Sequence, residues 1–316
     1  MKNRKYCIYF QTRNHYQLFE KLMFAKTKTS FNNLFMINQD CGSSDEQKKL
    51  AKKVCDKYEI HWINEHDSKT YPMQKLISQA DDWLTENGHD FDWIIRVHND
   101  AYPIIDNFWD KLDSQLEKNN DLFLEKVGSF CFSENINGFY GRGNLEKNVL
   151  LDPHGGWYKH LPKWGSNQKY NEVDYFVVES PLDWAKGYNR KLFKKYIKID
   201  EKFQMAHADD DISHQFMLNG IYNICFPKLI YKHDIRGKNL FTNYTSMSLP
   251  QESAWKRFHE KWKWQWGRRN RDVLRQQFKD NCLNDFKYKK SIQKIMFNRD
   301  IYEGPKDINY YELNKN

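Results

Sequence analysis

Apolar and polar positions change period several times along the first hundred residues. Runs such as KYCIYFQT and DWIIRV predict strands, whereas DEQKKLAKKVCDKY has the three-to-four-residue spacing of an amphipathic helix. The predicted strands are residues 5–12, 33–40, 60–64 and 92–97, and the predicted helices between them are residues 15–26, 45–58 and 71–87. Strands that alternate with helices at this spacing predict an α/β fold with a mostly parallel sheet and helices on both faces.

The second half of the chain is less regular. Residues 133–172 are rich in Gly, Asn, His, Lys and Trp, and a long irregular stretch inside a compact domain is typical of a functional loop or lid. Further predicted elements are a strand at 173–180, helices at 189–196 and 210–220, one or two strands at 221–234 and a helical segment at 252–281. Because no repeat and no Gly/Ser/Pro-rich linker divides the chain, we expect one domain over residues 1–250 and a helical, basic extension over residues 251–316.

Composition favours a soluble protein with a core of its own. The 316 residues are 40% hydrophobic, and no apolar run approaches the roughly 18–20 residues that span a bilayer. The N-terminus passes from basic residues into a strand-like run without a signal-peptide pattern, so we expect a cytoplasmic location and no transmembrane segment. Six scattered cysteines without a C-x-x-C pair predict free thiols rather than a disulfide framework or a zinc site.

The positive charge is concentrated near the C-terminus. Residues 255–300 contain fourteen Lys and Arg against five Asp and Glu, whereas the whole chain carries +8. The stretch 255–272 also contains several Trp, so it suits a nucleic acid, through phosphates and base stacking, or an anionic membrane surface. A third interpretation ranks above these two: the stretch is a helix that packs its Trp stripe on the core and leaves its charges in solvent.

The stretch INQDCGSSDE, at residues 37–46, places an Asp and a Gly turn at the end of a predicted strand. Ligands of parallel α/β sheets bind at the carboxyl ends of the strands. A turn and a helix cap explain the same residues, because Ser43, Ser44 or Asp45 can cap the following helix. Both interpretations hold together if Asp45 caps the helix and Asp40 faces a ligand.

The stretch VHNDAYP places His98 and Asp100 directly after a predicted strand. Residues two apart on extended backbone point the same way, so these two side chains can face one Mg²⁺ or Mn²⁺ ion and its diphosphate. The alternative is a polar turn before Pro103.

Three consecutive Asp, at 209–211, stand at the start of a predicted helix. Clustered carboxylates raise one another's pKa, which suits a general base, although an acidic, solvated helix start explains them equally well. His233 ends the last predicted strand, and it is a candidate site residue only if it lies near Asp100.

These stretches, in this order, resemble the GT-A glycosyltransferases, most of all the family 2 type. INQDCGSSDE resembles that family's V-D-x-G-S-x-D turn, which implies donor-nucleotide contacts at Asp40, Gly42 and Ser43. TRN resembles the early nucleotide-binding loop, which implies further contacts at Thr12, Arg13 and Asn14. The resemblance spans roughly residues 5–265 and rests on the ordered set of motifs.

HND stands where the family has its D-x-D metal motif. Asp100 matches the last Asp and His98 replaces the first, which implies that both bind Mn²⁺ or Mg²⁺ and that His98 and Asn99 lie at the donor. FPKLIYKHD resembles the strand that carries a late metal-ligand histidine, here His233.

DDDISHQFMLNG resembles the E-D-x-D-L…G helix start of the family. Asp209 matches the catalytic Asp and Asp211 the later Asp, with Asp210 between them, while Ala208 replaces the preceding Glu. The resemblance implies an inverting displacement at the anomeric carbon, with Asp209 as the base that removes the acceptor proton. FHEKW, at 258–262, is similar to a helix that follows the catalytic core in many members.

The resemblance also divides the domain into a donor half, at about residues 1–105, and an acceptor half, at about 106–250. A UDP-sugar is the default donor that it implies. Aromatic faces stack on sugar rings, which makes three tryptophans candidates for the sugar sites, with ordinary packing as the alternative: Trp157, Trp164 and Trp184.

The resemblance implies a glycan, a lipid-linked glycan or a protein as the acceptor. One alternative is transfer to a hydroxymethylated base in DNA, with residues 255–272 as the nucleic-acid contact. Another is a non-catalytic nucleotide-sugar-binding module on the same fold, which the substituted His98 and the missing Glu leave open.

Overall fold

A computed structural model gives the architecture of most of the first 233 residues. It describes residues 4–14, 16–21, 24, 27, 29–63, 72–134, 174–178, 181, 184–203, 207–233, 256–258 and 260–261. The elements are β1 (Tyr6–Thr12), α1 (Tyr16–Glu20), β2 (Met36–Asp40), α2 (Asp45–Lys57), β3 (Ile60–Trp62), α3 (Met73–Glu86), β4 (Trp93–His98), β5 (Ala101–Pro103), α4 (Phe108–Lys118), α5 (Asn120–Lys126), β6 (Val127–Glu134), β7 (Phe176–Val178), β8 (Ala185–Asn189), α6 (Arg190–Tyr196), α7 (Ala208–Leu218) and β9 (Tyr222–His233). The described residues between 256 and 261 are helical as well.

The strands of the described residues form one nine-stranded sheet. Its order is β3-β2-β1-β4-β8-β6-β9-β5, and β7 also pairs with β9. β1 pairs in parallel with β2 and β4, β2 with β3, and β6 with β9. β8 is antiparallel to both of its neighbours, and β5 and β7 are antiparallel to β9. The half of the sheet that begins the chain is therefore parallel, and the antiparallel pairs lie beyond β4.

Helices cover both faces of the sheet. Successive residues of a strand point to opposite faces, so in β1 Ile8 and Phe10 enter the core under α1, α2 and α4, whereas Cys7 and Tyr9 enter the core under α3, α6 and α7. Every residue of β1 is buried, as a strand between two helical layers requires. The predicted α/β class, with helices on both faces, is confirmed.

Five elements of the structure were not predicted from the sequence: β5, α4, α5, β6 and β8. α4 begins after Asn107, which has a left-handed backbone (φ 53°) and makes no side-chain cap, so the usual N-terminal signal is missing. β8 reads AKGYN, a sequence with low strand propensity, yet all five residues are buried. Its conformation is set by pairing with β4 and β6 rather than by local preference.

Three further predicted boundaries can be compared with the structure. α1 is α-helical over Tyr16–Glu20, and the described residues Lys21 and Phe24 beyond it are π-helical, within the predicted range 15–26. Ser44, rather than Asp45, is the cap of α2, and its side chain accepts a bond from the Gln47 amide (3.4 Å). The segment predicted as one or two strands at 221–234 is one strand, β9, as the first of these alternatives predicts, and its register against β6 shifts between Phe132 and Ser133.

Several predicted features lie outside the described residues. They include most of the irregular stretch 133–172 with Trp157 and Trp164, the basic segment beyond residue 261, and Cys282. The five cysteines that the structure describes are buried, and none of them is in a disulfide. In the part of the chain covered by the structure, no helix has the length and apolar character to cross a membrane.

Candidate functional site

Three of the predicted site stretches follow strands that run in parallel, so they meet at one edge of the sheet. Thr12, Asp40 and His98 are the last residues of β1, β2 and β4. Thr12 lies opposite Asp40 in the register, and Gln11 lies opposite His98. The carboxyl ends of these strands form the edge at which α/β sheets bind their ligands.

Two of the loops at this edge are bonded to each other. The Asn14 amide donates to Ser43 Oγ (2.7 Å), and the Ser44 amide donates to Asn14 Oδ1 (3.0 Å). The Cys41 amide donates to the Thr12 carbonyl (2.8 Å). Asn14 has a left-handed backbone (φ 55°), a conformation that Asn tolerates better than most residues. Loop 12–14 and loop 40–44 therefore form one rigid unit, beside which the Arg13 side chain is exposed.

Asp40 holds the second loop together from inside. It is fully buried, and its Oδ1 accepts bonds from the Gly42 amide (3.1 Å) and the Ser43 amide (2.9 Å). Its Oδ2 accepts a bond from the Tyr16 hydroxyl (2.9 Å), and burial together with the Asp40 charge raises the pKa of Tyr16, so the phenol stays a donor. Gly42 has φ 83°, which favours glycine at this turn. The structure thus gives Asp40 a shaping role, and its contact with a donor nucleotide remains a prediction.

His98, Asp100 and Trp184 lie together at the end of β4. His98 Nδ1 is 4.0 Å from Asp100 Oδ1, and the two side chains are 24% and 26% exposed. The His98 amide donates to the Trp184 carbonyl (2.9 Å), and the two rings meet edge to face at 5.4 Å between centroids. Asn99 is partly exposed between them. The sequence placed all four residues at a donor or metal site, and the structure brings them to one corner.

His233 reaches the same corner through the backbone. It is the last residue of β9 and lies opposite Ala101 in the pairing of β9 with β5. Ala101 follows Asp100 directly, so the register places His233 one position from Asp100 along the sheet edge. Among the side chains described, no group of three or more His, Cys, Asp and Glu that could hold a metal ion is found. Within the described side chains, His98 and Asp100 form a pair with one imidazole and one carboxylate, two ligand types that bind divalent metal ions.

The three carboxylates of the acidic triplet have different surroundings. Asp211 is fully buried, and its oxygens lie 2.8 Å from Gln74 Nε2, Gln215 Nε2 and Lys261 Nζ. Asp209 and Asp210 are partly exposed at the start of α7. The structure therefore separates Asp211, which binds groups inside the protein, from the other two predicted catalytic residues.

Asp210 pairs with a histidine that the sequence did not single out. His207 Nδ1 lies 2.9 Å from Asp210 Oδ2. Burial lowers the pKa of His207, but the bond to Asp210 and the charges of Asp210 and Asp209 outweigh it, so the net effect raises that pKa. His207 precedes α7 with a left-handed backbone (φ 58°), which sets the direction of the helix start.

Two buried cations below this edge were also missed from the sequence. Arg96 and Lys186 are 3% and 0% exposed and face each other in the pairing of β4 with β8. Arg96 donates to Gln11 Oε1, and Lys186 Nζ donates to the Asp209 carbonyl (3.2 Å). The only sequence signal for Arg96 was a charged residue inside the apolar run WIIRV, and Lys186 lay in a strand that was not predicted.

The described part of the basic segment packs on the core beside α7. Phe258 is 1% exposed and stacks on the His207 ring at 5.2 Å between centroids. Arg257 donates to Asp200 (2.9 and 2.7 Å), and Lys261 binds Asp211. One apolar side chain of the segment, Phe258, therefore packs inward, and Arg257 and Lys261 pair with acidic residues of the domain. The tryptophans of the predicted stripe lie outside the described residues.

Comparison with solved structures identifies the fold. GalNAc-T7 with UDP, GalNAc and Mn²⁺ matches with a TM-score of 0.56 and 12% identity, over 95% of this chain and 55% of that chain. The chain has the GT-A fold. A mannosyltransferase from Pyrobaculum calidifontis, in complex with GDP-Man and Mn²⁺, has a TM-score of 0.48 at 11% identity over 93% of this chain and 69% of that chain. S. aureus TarS has a TM-score of 0.47 at 15% identity over 91% of this chain.

The chain spans 44% of the length of TarS and 55% of the length of GalNAc-T7. No family model matches the sequence, and no curated protein matches it.

Proposed function

We propose that the protein is a glycosyltransferase that moves a sugar from a nucleotide-diphosphate donor to an acceptor hydroxyl. The pairing of β5 with β9 carries this proposal, because it joins the strand after Asp100 to the strand that ends at His233. The GT-A fold supports it, since GalNAc-T7 shares the fold and its structure contains UDP and Mn²⁺. A UDP-sugar is the first donor to test.

The residues at the end of β4 fit a divalent cation. Asp100 provides a partly exposed carboxylate and His98 an imidazole 4.0 Å away, and His233 is the proposed third ligand by its register position. When bound, Mn²⁺ or Mg²⁺ supplies positive charge against the developing charge of the diphosphate leaving group. Trp184, in contact with His98, is proposed to border the donor sugar.

The loops at the ends of β1 and β2 are proposed to bind the donor nucleotide. The bonds between Asn14, Ser43 and Ser44 hold both loops in place without a ligand. Arg13 is exposed beside them and is positioned to contact a phosphate or a base edge. Such pre-formed loops bind a ligand without an ordering penalty.

Asp209 is proposed as the base that accepts the proton of the acceptor hydroxyl. It is partly exposed in the first turn of α7, whereas Asp211 is enclosed by Gln74, Gln215 and Lys261. Direct displacement with a single base gives an inverted product. The acceptor is proposed to be a glycan, a lipid-linked glycan or a protein.

A thermal-shift experiment tests the donor site. The protein is heated with UDP, GDP, UDP-glucose, UDP-N-acetylglucosamine and GDP-mannose, each with and without Mn²⁺, because a ligand that binds the native state raises the melting temperature. We expect one nucleotide to give a Mn²⁺-dependent shift that Asp100→Ala abolishes. Asp121→Ala, which removes an exposed carboxylate of α5, is the matched control and should keep the shift.

Two results would contradict the proposal. If no nucleotide shifts the wild-type protein, the chain has no donor site of the proposed kind. If a nucleotide binds with Mn²⁺ but no sugar is released or transferred from any of the donors, the chain is a nucleotide-sugar-binding module on the GT-A fold.

A further inference from the structure

Lys186 is a lysine with no exposed surface, in the middle of the sheet. It belongs to β8 and faces Arg96 of β4, close to the carboxyl end of that strand. A buried ammonium group is strongly unfavourable unless its protons are bonded. Lys186 Nζ meets this need by donating to the Asp209 carbonyl (3.2 Å) and to Ser213 Oγ (3.0 Å).

Both acceptors belong to the start of α7. Ser213 Oγ also donates to the Asp209 carbonyl (2.7 Å), so lysine, serine and the peptide of Asp209 form a closed triangle of bonds. The Lys186 side chain thus ties the backbone of the proposed base directly to the strand beside β4. β8 pairs with β4, which carries His98 at its end, so this bond links the proposed base to the strands beside the proposed metal corner.

Stability alone does not account for a cation at this place. The N-terminal end of a helix carries partial positive charge, which repels a nearby ammonium group. A lysine here therefore needs compensation from carbonyl and hydroxyl acceptors that an apolar side chain would not need. Its distinguishing property is the fixed position that it gives to Asp209.

We propose that Lys186 is a positioning residue that holds Asp209 at the reaction centre. This inference rests on the proposed function. Its charge acts on the Asp209 peptide from below the site, and its complete burial keeps it away from substrate.

The same strand offers a matched control at its other end. Arg190 follows β8 directly and is also largely buried, with an exposed fraction of 11%. It binds Asp81 and donates to the carbonyls of His89 (2.9 Å) and Phe91 (3.0 Å). Its neighbour Asn189 faces Trp93, the first residue of β4, so Arg190 lies at the opposite edge of the sheet from the site.

The test compares Lys186→Met with Arg190→Met. Turnover is measured as hydrolysis of UDP-glucose, UDP-N-acetylglucosamine and GDP-mannose with Mn²⁺, in which water takes the sugar in place of the acceptor hydroxyl and nucleoside diphosphate is released. The folding of each sample is checked by circular dichroism. We expect Lys186→Met to lower kcat by about 100-fold with an unchanged KM for the donor, because a small misplacement of a catalytic group has effects of this size. Arg190→Met should lower the melting temperature and keep kcat.

Two further variants cover the case in which Lys186→Met does not fold. Lys186→Arg keeps the charge and should retain part of the wild-type kcat. Ser213→Ala removes one acceptor of Lys186 but keeps the lysine, so its kcat should fall by a smaller factor than about 100. Unchanged kcat in both folded variants overturns the proposal, as does an equal fall of kcat in Arg190→Met. A wild-type protein that turns over none of the three donors refutes the proposed function, whereas an active wild type with an equally active Lys186→Met refutes only the role of Lys186.

Discussion

Replacing Lys261 by Met should destabilise the protein, because it leaves the buried carboxylate of Asp211 without its counter-charge. Lys261 Nζ lies 2.8 Å from Asp211 Oδ1 and 2.9 Å from Oδ2, and the two side chains are 23% and 0% exposed. Removing one partner of a buried ion pair typically costs about 3–5 kcal/mol. Gln74 and Gln215 still donate to the carboxylate, and Lys261 is partly solvated, so we expect a loss of about 2 kcal/mol in the free energy of unfolding.

Urea denaturation measures this loss as a lower midpoint with an unchanged m-value. Lys256→Met is the matched control, since Lys256 is exposed on the same helical segment, and it should leave the midpoint in place. In a double-mutant cycle, Lys261→Met should do less harm in an Asp211→Asn background, where no buried charge remains to be compensated. Equal losses in both backgrounds, or a Lys261→Met midpoint equal to that of Lys256→Met, would refute the reasoning.

Two further predictions concern packing and pH. A Cβ at Gly187 would overlap the buried ring of Phe130, so Gly187→Ala should lower the free energy of unfolding by about 1–3 kcal/mol in urea, and Gly187→Ala with Phe130→Leu should recover part of it. The raised pKa of His207 means that its bond with Asp210 stabilises the fold fully below pH 6.5 and less as pH rises through the folded-state value. The urea midpoint should therefore fall from about pH 6 to about pH 9 by more in the wild type than in Asp210→Asn. Equal changes in the two proteins would contradict a stabilising bond between His207 and Asp210.

The sequence predicts the parallel half of the sheet well, and the reason is physical. β1, β2 and β4 are buried on both faces, so their apolar runs stand out, whereas β3 at the edge of the sheet exposes His61. Asp40 and His98 were identified in this way, and both lie at the predicted edge. The role of Asp40 inside its own turn was not visible, because it depends on the Tyr16 hydroxyl from another element.

Beyond β4, the sequence predicted β7 and β9 but missed β5, β6 and β8. β8 contains a lysine, a glycine and an asparagine, and its burial follows from two neighbouring strands that are distant in sequence. A buried lysine such as Lys186 looks like a surface residue until its acceptors in α7 are known. For the same reason, the sequence grouped three Asp that the fold divides, since only contacts with Gln74 and Lys261 distinguish Asp211 from its neighbours.

The pairing of β5 with β9 also has a consequence for the order of folding. Ala101 and His233 are partners in this pair although 132 positions separate them in the chain, whereas the partners in the β1–β2 and β2–β3 pairs are much nearer in sequence. Closing so long a loop is entropically slow, so local pairs form first and remote pairs follow. The corner with Asp100 is therefore expected to be among the last parts of the molecule to assemble, so the proposed metal site would form only after the parallel strands have paired.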